Sequence, residues 1–424
     1  MVFGQTSVMF RIRSLAPTLR KRSAERSLAG LAVLALATTG CAWLERSSVP
    51  TTPPPSWTPH GGGSAPLVSK SGRYVAFTSD DRTLSDNDAN NATDVFVRDN
   101  VAKTTELISA TPTGASANAA SRATGMSDDG RYVLFNSLAS DLNSGDTDGK
   151  YDAFVRDRQS MTTTIISVGP NGVGIDGAVT GLALSGDGST VAMCTQIPSP
   201  LPFSVCGPLT LRRSDTGDIT VMPHLHDATL LGFVRLSYDG RRVAYTDATV
   251  PGTTVISAAV VDSATGTVLT DLGTHPFEFS DAAAINIDIS GDGSTYAFTE
   301  SHHHFDSART GTVTVGKVGS AEPPVVHTYD WTKDARLNTD GSVLALHTLV
   351  GGHEVVAADN GSAPLTVVSA DSGGAIVAGQ VFEFDFSADG RWIVFTTRTE
   401  LDGGDNFYAA VYTRSVARSL TPPS

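Results

Sequence analysis

"MSDDGRYVLFNS", Met126–Ser137, joins a Ser-x-Asp-Gly turn to a run of aromatic and β-branched residues. Asp and Gly both tolerate positive φ, so the pair set between two apolar runs makes a tight hairpin. Six further copies follow the same plan: VSKSGRYVAFTS (68–79), LSGDGSTVAMCT (184–195), LSYDGRRVAYTD (236–247), ISGDGSTYAFTE (289–300), LNTDGSVLALHT (337–348) and FSADGRWIVFTT (386–397). Their glycines, Gly72, Gly130, Gly188, Gly240, Gly293, Gly341 and Gly390, are spaced by 58, 58, 52, 53, 48 and 49 residues. A near-constant period of this size marks a repeat architecture.

Each unit reads alike. An alternating strand such as INIDIS (285–290) or FEFDFS (382–387) enters the turn, and the strand after it is apolar throughout. A variable loop leads to a third strand: DVFVRD (94–99), DAFVRD (152–157), LTLRR (209–213), AAVVD (258–262), TVTVG (312–316), EVVAAD (354–359) and AAVYT (409–413). A short turn then gives a fourth, such as TTELIS or TTTIIS. Seven such units specify an all-β fold, a seven-bladed β-propeller of four-stranded antiparallel blades. A sheet apolar on both faces cannot stand alone, and ring closure buries each face against a neighbour. A six-bladed ring with one unit set aside is the alternative.

The units resemble the TolB-like propeller repeats, a WD-repeat-like family in which Ser-Pro-Asp-Gly precedes a strand and an Ile-Tyr-Val-x-Asp-like strand follows. The resemblance covers residues 62–420 or so, although no unit has Pro after the Ser and the first has Ser71 in place of Asp. It implies blades that are each one contiguous repeat, with blade seven meeting blade one and no blade shared between the chain ends.

The N-terminus has the pattern of an export signal. Residues 1–40 hold six basic groups and one acid, and end in the apolar run LAGLAVLALA, Leu28–Ala37, too short to span a bilayer. Met9 serves equally well as its start. TTGCAW follows, and its Gly-Cys pair resembles the lipobox of bacterial lipoproteins, which implies acylation of Cys41; cleavage after Ala37 would instead release the protein. The Pro-, Ser- and Gly-rich stretch after Cys41 reads as a tether. The expected organisation is a signal peptide over 1–40, lipidated Cys41 with its tether over 41–61, and the propeller over 62–421. Beyond residue 40 the chain carries 24 basic and 43 acidic residues, a balance that disfavours nucleic acid.

Two groups of polar residues stand out. The loops DNDANNATD (86–94) and DTDGKYD (146–152) share one spacing, Asp88, Asn90 and Asp94 against Asp146, Asp148 and Asp152. Converging oxygens from a tight turn suit calcium, and Asp or Asn also caps turns with no metal present. On the innermost strands, the positions two before each anchor Ser or Asn are Leu67, Gly125, Ala183, Arg235, Asp288, Arg336 and Asp385. Glu383 and Asn286 lie two residues further back on the same side. This row is either a charged ligand site at the channel mouth or a set of cross-blade ion pairs.

Smaller features complete the reading. His302, His303, His304 and Asp306, and the pair His224 and His226, are metal candidates or surface histidines. Cys194 and Cys206, on neighbouring strands of an exported chain, are expected to form a disulfide. GTVTVGKV (311–318) falls short of a phosphate loop at Val318 and lies in strands. No Gly-x-Ser-x-Gly or His-Glu-x-x-His occurs. The expected function is that of a non-catalytic, protein-binding scaffold held at the cell envelope by a lipid anchor, its partner another envelope or extracellular protein. An enzyme of the lyase or glycan-hydrolase kind, with carboxylates at the channel mouth, is the rival, and a calcium-stabilised binding module is a third reading.

Overall fold

The computed structural model describes residues 44–48 and 63–416, apart from 147, 170–173, 176, 198–204, 215, 226–229, 250–253, 278–283, 303–309, 352, 362–364, 371–375, 377–380, 399–400 and 402–409. Among the described residues the strands form seven separate antiparallel sheets, the blades of a seven-bladed propeller. The inner strands are Gly63–Val68, Ser121–Met126, Val179–Leu184, Leu230–Leu236, Ala284–Ile289, Thr332–Leu337 and Val381–Phe386. Each is followed outward by its second, third and fourth strands. Blade three adds the short strand Val205–Cys206, which pairs with the second strand Thr190–Ile197. No described helix is long and apolar enough to cross a membrane.

Closure corrects the expectation of unshared blades. Blade seven draws Val381–Phe386, Trp392–Thr397 and Ala410–Ser415 from the C-terminal end, and its outermost strand is Leu44–Arg46. Glu45 stands opposite Thr413, Ser47 N–H donates to Val411 O at 2.7 Å, and the Ser47 and Thr413 hydroxyls meet at 2.8 Å. The first residues of the segment read as a tether are therefore part of the ring. An exposed edge strand is a row of unpaired backbone groups, and any segment that reaches it gains a ladder.

The recurring anchor has three structural tasks. First, it holds its own turn: the Ser127 hydroxyl donates to Asp129 Oδ1 at 2.6 Å and accepts Tyr132 N–H at 2.9 Å, while Asp129 Oδ1 accepts Arg131 N–H at 2.9 Å. Ser237 with Asp239, Ser290 with Asp292 and Ser387 with Asp389 repeat the hydroxyl–carboxylate bond. In unit one, Ser71 Oγ stands in for the carboxylate and accepts Arg73 N–H at 3.4 Å. Secondly, the middle residue of the turn bonds to the next blade. Lys70 N–H donates to Asp128 O, Asp128 N–H to Gly186 O, Tyr238 N–H to Gly291 O and Thr339 N–H to Ala388 O, all at 2.7–2.8 Å. Thirdly, the glycine, at φ +70° in Gly130, leaves room for a side chain of the preceding blade.

The apolar second strands feed two interfaces at once because strand side chains alternate. Val75 and Phe77 pack with Trp392 and Val394 of blade seven, and Ala76 packs with Val133 and Phe135 of blade two. Phe77 stacks on Phe96 with centroids 5.9 Å apart, and Phe135 on Phe154 at 5.6 Å. Each such buried side chain contributes about 1.5–3 kcal/mol, which explains continuous apolar runs where a one-faced sheet would alternate.

Candidate functional site

The inner strands enclose a channel with two unequal mouths. Leu67, Gly125, Ala183, Arg235, Arg336 and Asp385 line the larger, a cavity of about 550 Å³, with Asn286 and Glu383. The smaller, about 150 Å³, opens among the anchor turns and is lined by Asp288 and Asp128, sharing Arg235, Arg336 and Asp385 with the first. All six polar candidates read from the inner strands thus border one channel.

Most of them are tied to a neighbouring blade. Asp288 Oδ2 accepts Leu337 N–H at 2.7 Å, and Asp385 Oδ2 accepts Val68 N–H at 2.9 Å across the seam between blades seven and one. Glu383 Oε2 accepts Ala65 N–H, and Asn286 Nδ2 donates to Lys333 O at 2.8 Å. Arg235 Nε lies 3.6 Å from Asp288 Oδ1, while Arg336 holds Asp334 at 2.8 Å. Burial pushes the Asp288 carboxyl up to about 6 against the pull of Arg336 and Arg235, and raises Asp385 as well. Burial also lowers Arg235, with Arg336 adding to the effect; in Arg336 burial is outweighed by Asp334, Asp288 and Asp385. Asp128, at the smaller mouth, is pushed up to about 6 by burial.

Two groups at the larger mouth escape the count by twos, Arg122 and Lys333, whereas Phe233 and Asp334 lie on it, two residues before Arg235 and Arg336. Alternation assumes an unbroken strand, and the inner strands are broken. Register shifts fall between Ala123 and Gly125, between Leu231 and Val234, and between Thr332 and Asp334, and those of blades one, three and seven are also interrupted. A bulge flips the facing of the residues beyond it. Arg122 thereby reaches Glu383 Oε1 at 3.0 Å, Lys333 stays exposed, and Phe233 is 46% exposed at the rim.

The two Asp-rich loops differ in what they assemble. Asp146, Asp148 and Asp152 bring one carboxylate oxygen each within 4.8 Å of one another, a group that could hold a metal ion. Burial pushes Asp152 up to about 6, with Asp146 and Asp148 adding to the shift. In blade one the Asn90 amide donates to Asp94 Oδ2 at 2.8 Å, and Asp88 Oδ1 accepts Asn90 N–H at 3.3 Å.

Of the remaining candidates, Cys194 and Cys206 are disulfide-bonded. His224 Nδ1 stands 3.4 Å from Asp247 Oδ2. His226, His303, His304, Asp306 and Cys41 lie outside the described residues, as does the side chain of His302. The false phosphate loop is the third strand of blade five, Thr310–Lys317.

No family model matches the chain, and no curated protein does. Solved structures do. An oligogalacturonate lyase in complex with manganese is 13% identical, with 90% of this chain and 99% of that one covered and a TM-score of 0.53. The β-propeller domain of the Trilobed protease from Pyrococcus furiosus, described as having an open velcro topology, is 10% identical over 87% of this chain and 98% of its own, with a TM-score of 0.51. TolB from Acinetobacter baumannii is also similar, at 15% identity over 63% of this chain and 56% of that one, with a TM-score of 0.35. At these identities the likeness is one of propeller fold.

Proposed function

We propose that the chain is an exported, lipid-anchored and non-catalytic binding propeller whose larger channel mouth takes an acidic segment of another envelope protein. The observation that carries this reading is a local reversal of charge. Beyond residue 40 acids outnumber bases 43 to 24, yet this mouth gathers Arg122, Arg235, Lys333 and Arg336 against Asp334, Glu383 and Asp385. Bases outnumber acids there by one. With Arg122, Arg235 and Arg336 each beside a carboxylate, it is the exposed Lys333 that would draw anionic groups inward on an otherwise acidic body. The exposed ring of Phe233 offers an apolar contact beside those charges. The non-catalytic part is supported by the engagement of Asp288, Asp385 and Glu383 with backbone amides of the next blade.

The Cys194–Cys206 disulfide agrees with an oxidising compartment. If Cys41 is acylated, two residues separate it from the strand Leu44–Arg46, so the lipid would sit within about 10 Å of the edge of blade seven. The anchor would then hold the ring against the membrane, not away from it.

A fluorescent oligoglutamate peptide, titrated into wild type and into the rim variant Arg122→Glu/Lys333→Glu, tests the site. Salt-sensitive binding that falls at least tenfold in the variant supports it. Absence of binding to wild type, or equal binding to both, refutes it. Co-purification from the protein's own membranes with the same pair then identifies the partner.

The lyase or glycan-hydrolase reading stands second because Asp288, held near 6, has the acidity of a proton-transfer group at neutral pH. It requires turnover that Asp288→Asn abolishes while the fold survives. The likeness to oligogalacturonate lyase bears only on fold.

A further inference from the structure

The Asp-rich loops of blades one and two are counterparts 58 residues apart, and their frames coincide. Asp94 and Asp152 each open a third strand, Asp94–Asp99 and Asp152–Asp157. Each accepts a serine hydroxyl, from Ser109 and Ser167 respectively. Ala117 N–H donates to Ser109 O at 3.1 Å, as Ile175 N–H donates to Ser167 O at 3.0 Å.

One position within that frame differs in chemistry. In blade one, Asn90 Oδ1 accepts Ala92 N–H at 2.6 Å, which turns its nitrogen inward. That nitrogen donates to Asp94 Oδ2 and to Ala117 O, both at 2.8 Å. The amide thus presents positive hydrogens to a carboxylate and a carbonyl. Blade two has Asp148 there, and an ionised carboxylate has no hydrogen to donate. The oxygens of Asp146, Asp148 and Asp152 converge without that donor. Lys150 Nζ lies 3.5 Å from Asp148 Oδ2 and its charge also bears on Asp152, but its side chain is 46% exposed. Asp146 is 7% exposed, and neither of its carboxylate oxygens receives a hydrogen bond of ordinary geometry, although the amides of Asp148 and Gly149 face it.

We propose that the blade-two loop binds one calcium ion through Asp146, Asp148, Asp152 and the Ile175 carbonyl, and that the Asn90 amide is its built-in substitute in blade one. A hard cation supplies the missing positive charge, and calcium accepts irregular sets of carboxylate and carbonyl oxygens, completed by water, where magnesium demands a near-ideal octahedron. None of its residues lines the channel, and its assignment is independent of what the channel binds.

Calorimetric titration of calcium into the chelator-stripped full chain, with thermal melts in calcium and in EDTA, tests this. The wild type is expected to bind one ion and to melt higher with calcium. Asp148→Asn, which copies blade one, is expected to bind none while melting without metal at least as high as the metal-free wild type. Asn90→Asp is expected to bind two. The proposal is overturned by a wild type that binds no calcium or answers only to magnesium. Unchanged stoichiometry in either variant overturns it too, as does an Asp148→Asn chain that fails to fold, since the amide should suffice there.

Discussion

The ring of Tyr74 in blade one lies against Gly130 of blade two, in the space a side chain at that position would need. Tyr132 stands in the same relation to Gly188, and Trp392 to Gly72, so the anchor glycine is a socket for the preceding blade as well as a turn residue. Gly130→Ala therefore meets two costs. A left-handed φ is worth about 1 kcal/mol against alanine, and displacing a packed ring adds about 1–3 kcal/mol. Gly114 provides the control, with φ +87° and nothing near its missing Cβ. Urea denaturation should show Gly130→Ala destabilised by roughly 3 kcal/mol and Gly114→Ala by about 1. Equal losses would mean that the socket contributes nothing.

The closing strand Leu44–Arg46 makes a second prediction. Removing it exposes the edge of Ala410–Ser415 and leaves the bonds of Ser47 and Ser48 to Val411, and of Ser47 to Thr413, unmade. Two chains, one beginning at residue 44 and one at 49, should differ in Tm by roughly 3 °C, as a loss of about 2 kcal/mol implies for a ring of this size. The shorter chain should also associate more readily through its open edge, which light scattering would detect. Identical melting of the two would show that the ring is held closed by side-chain packing between blades seven and one alone.

That strand shows where sequence reading stops. The seven blades are legible because the Ser-x-Asp-Gly anchor serves its own turn, the next blade's backbone and the preceding blade's side chain, and so recurs at nearly every turn. Leu-Glu-Arg has no pattern of its own; its strand conformation is imposed by the unpaired edge of Ala410–Ser415, a partner about 370 positions away. The channel is half legible for a similar reason. Arg235, Asp288 and Asp385 lie within the regular part of their strands, next to the anchor, and counting by twos reaches them. Arg122 and Lys333 lie beyond bulges, which no periodicity records. The Asp loops were visible as spacing, but the meaning of Asn90 against Asp148 depends on which way an amide turns.

Asp128, at the smaller mouth, leads to a pH prediction. Its carboxyl is pushed up to about 6 by burial, Lys70 opposing. A carboxyl raised in the folded state binds its proton more tightly there than in the unfolded chain. Its contribution to stability is therefore fully present below about pH 4 and is lost as pH rises through 6. Asp128→Asn lacks this titration. Its stability relative to wild type should climb by about 2–3 kcal/mol between pH 4 and pH 7.5, measured as the difference of two denaturation curves at each pH. A difference that stays flat would place the charge in contact with water.

The last prediction concerns the seam at which the ring closes. Asp385 Oδ2 accepts Val68 N–H across blades seven and one, beside Arg336 and Arg235. Asparagine keeps an oxygen for that amide and loses the charge, whereas alanine loses both. An amide left without a partner in the channel wall costs about 1–3 kcal/mol, and an arginine pair short of a counter-charge adds to it. Asp385→Ala should therefore cost roughly 3 kcal/mol and Asp385→Asn well under half of that, since it keeps the acceptor and burial already disfavours the charge it loses, with the order read from denaturation midpoints. Should the two variants lose equally, the charge alone holds the seam and Val68 N–H finds water. A stable Asp385→Ala would release the residue from any structural duty and return it to the ligand site. The rim pair Arg122 and Lys333 would then have to be tested together with Asp385, since Glu383 already links Arg122 to the same strand.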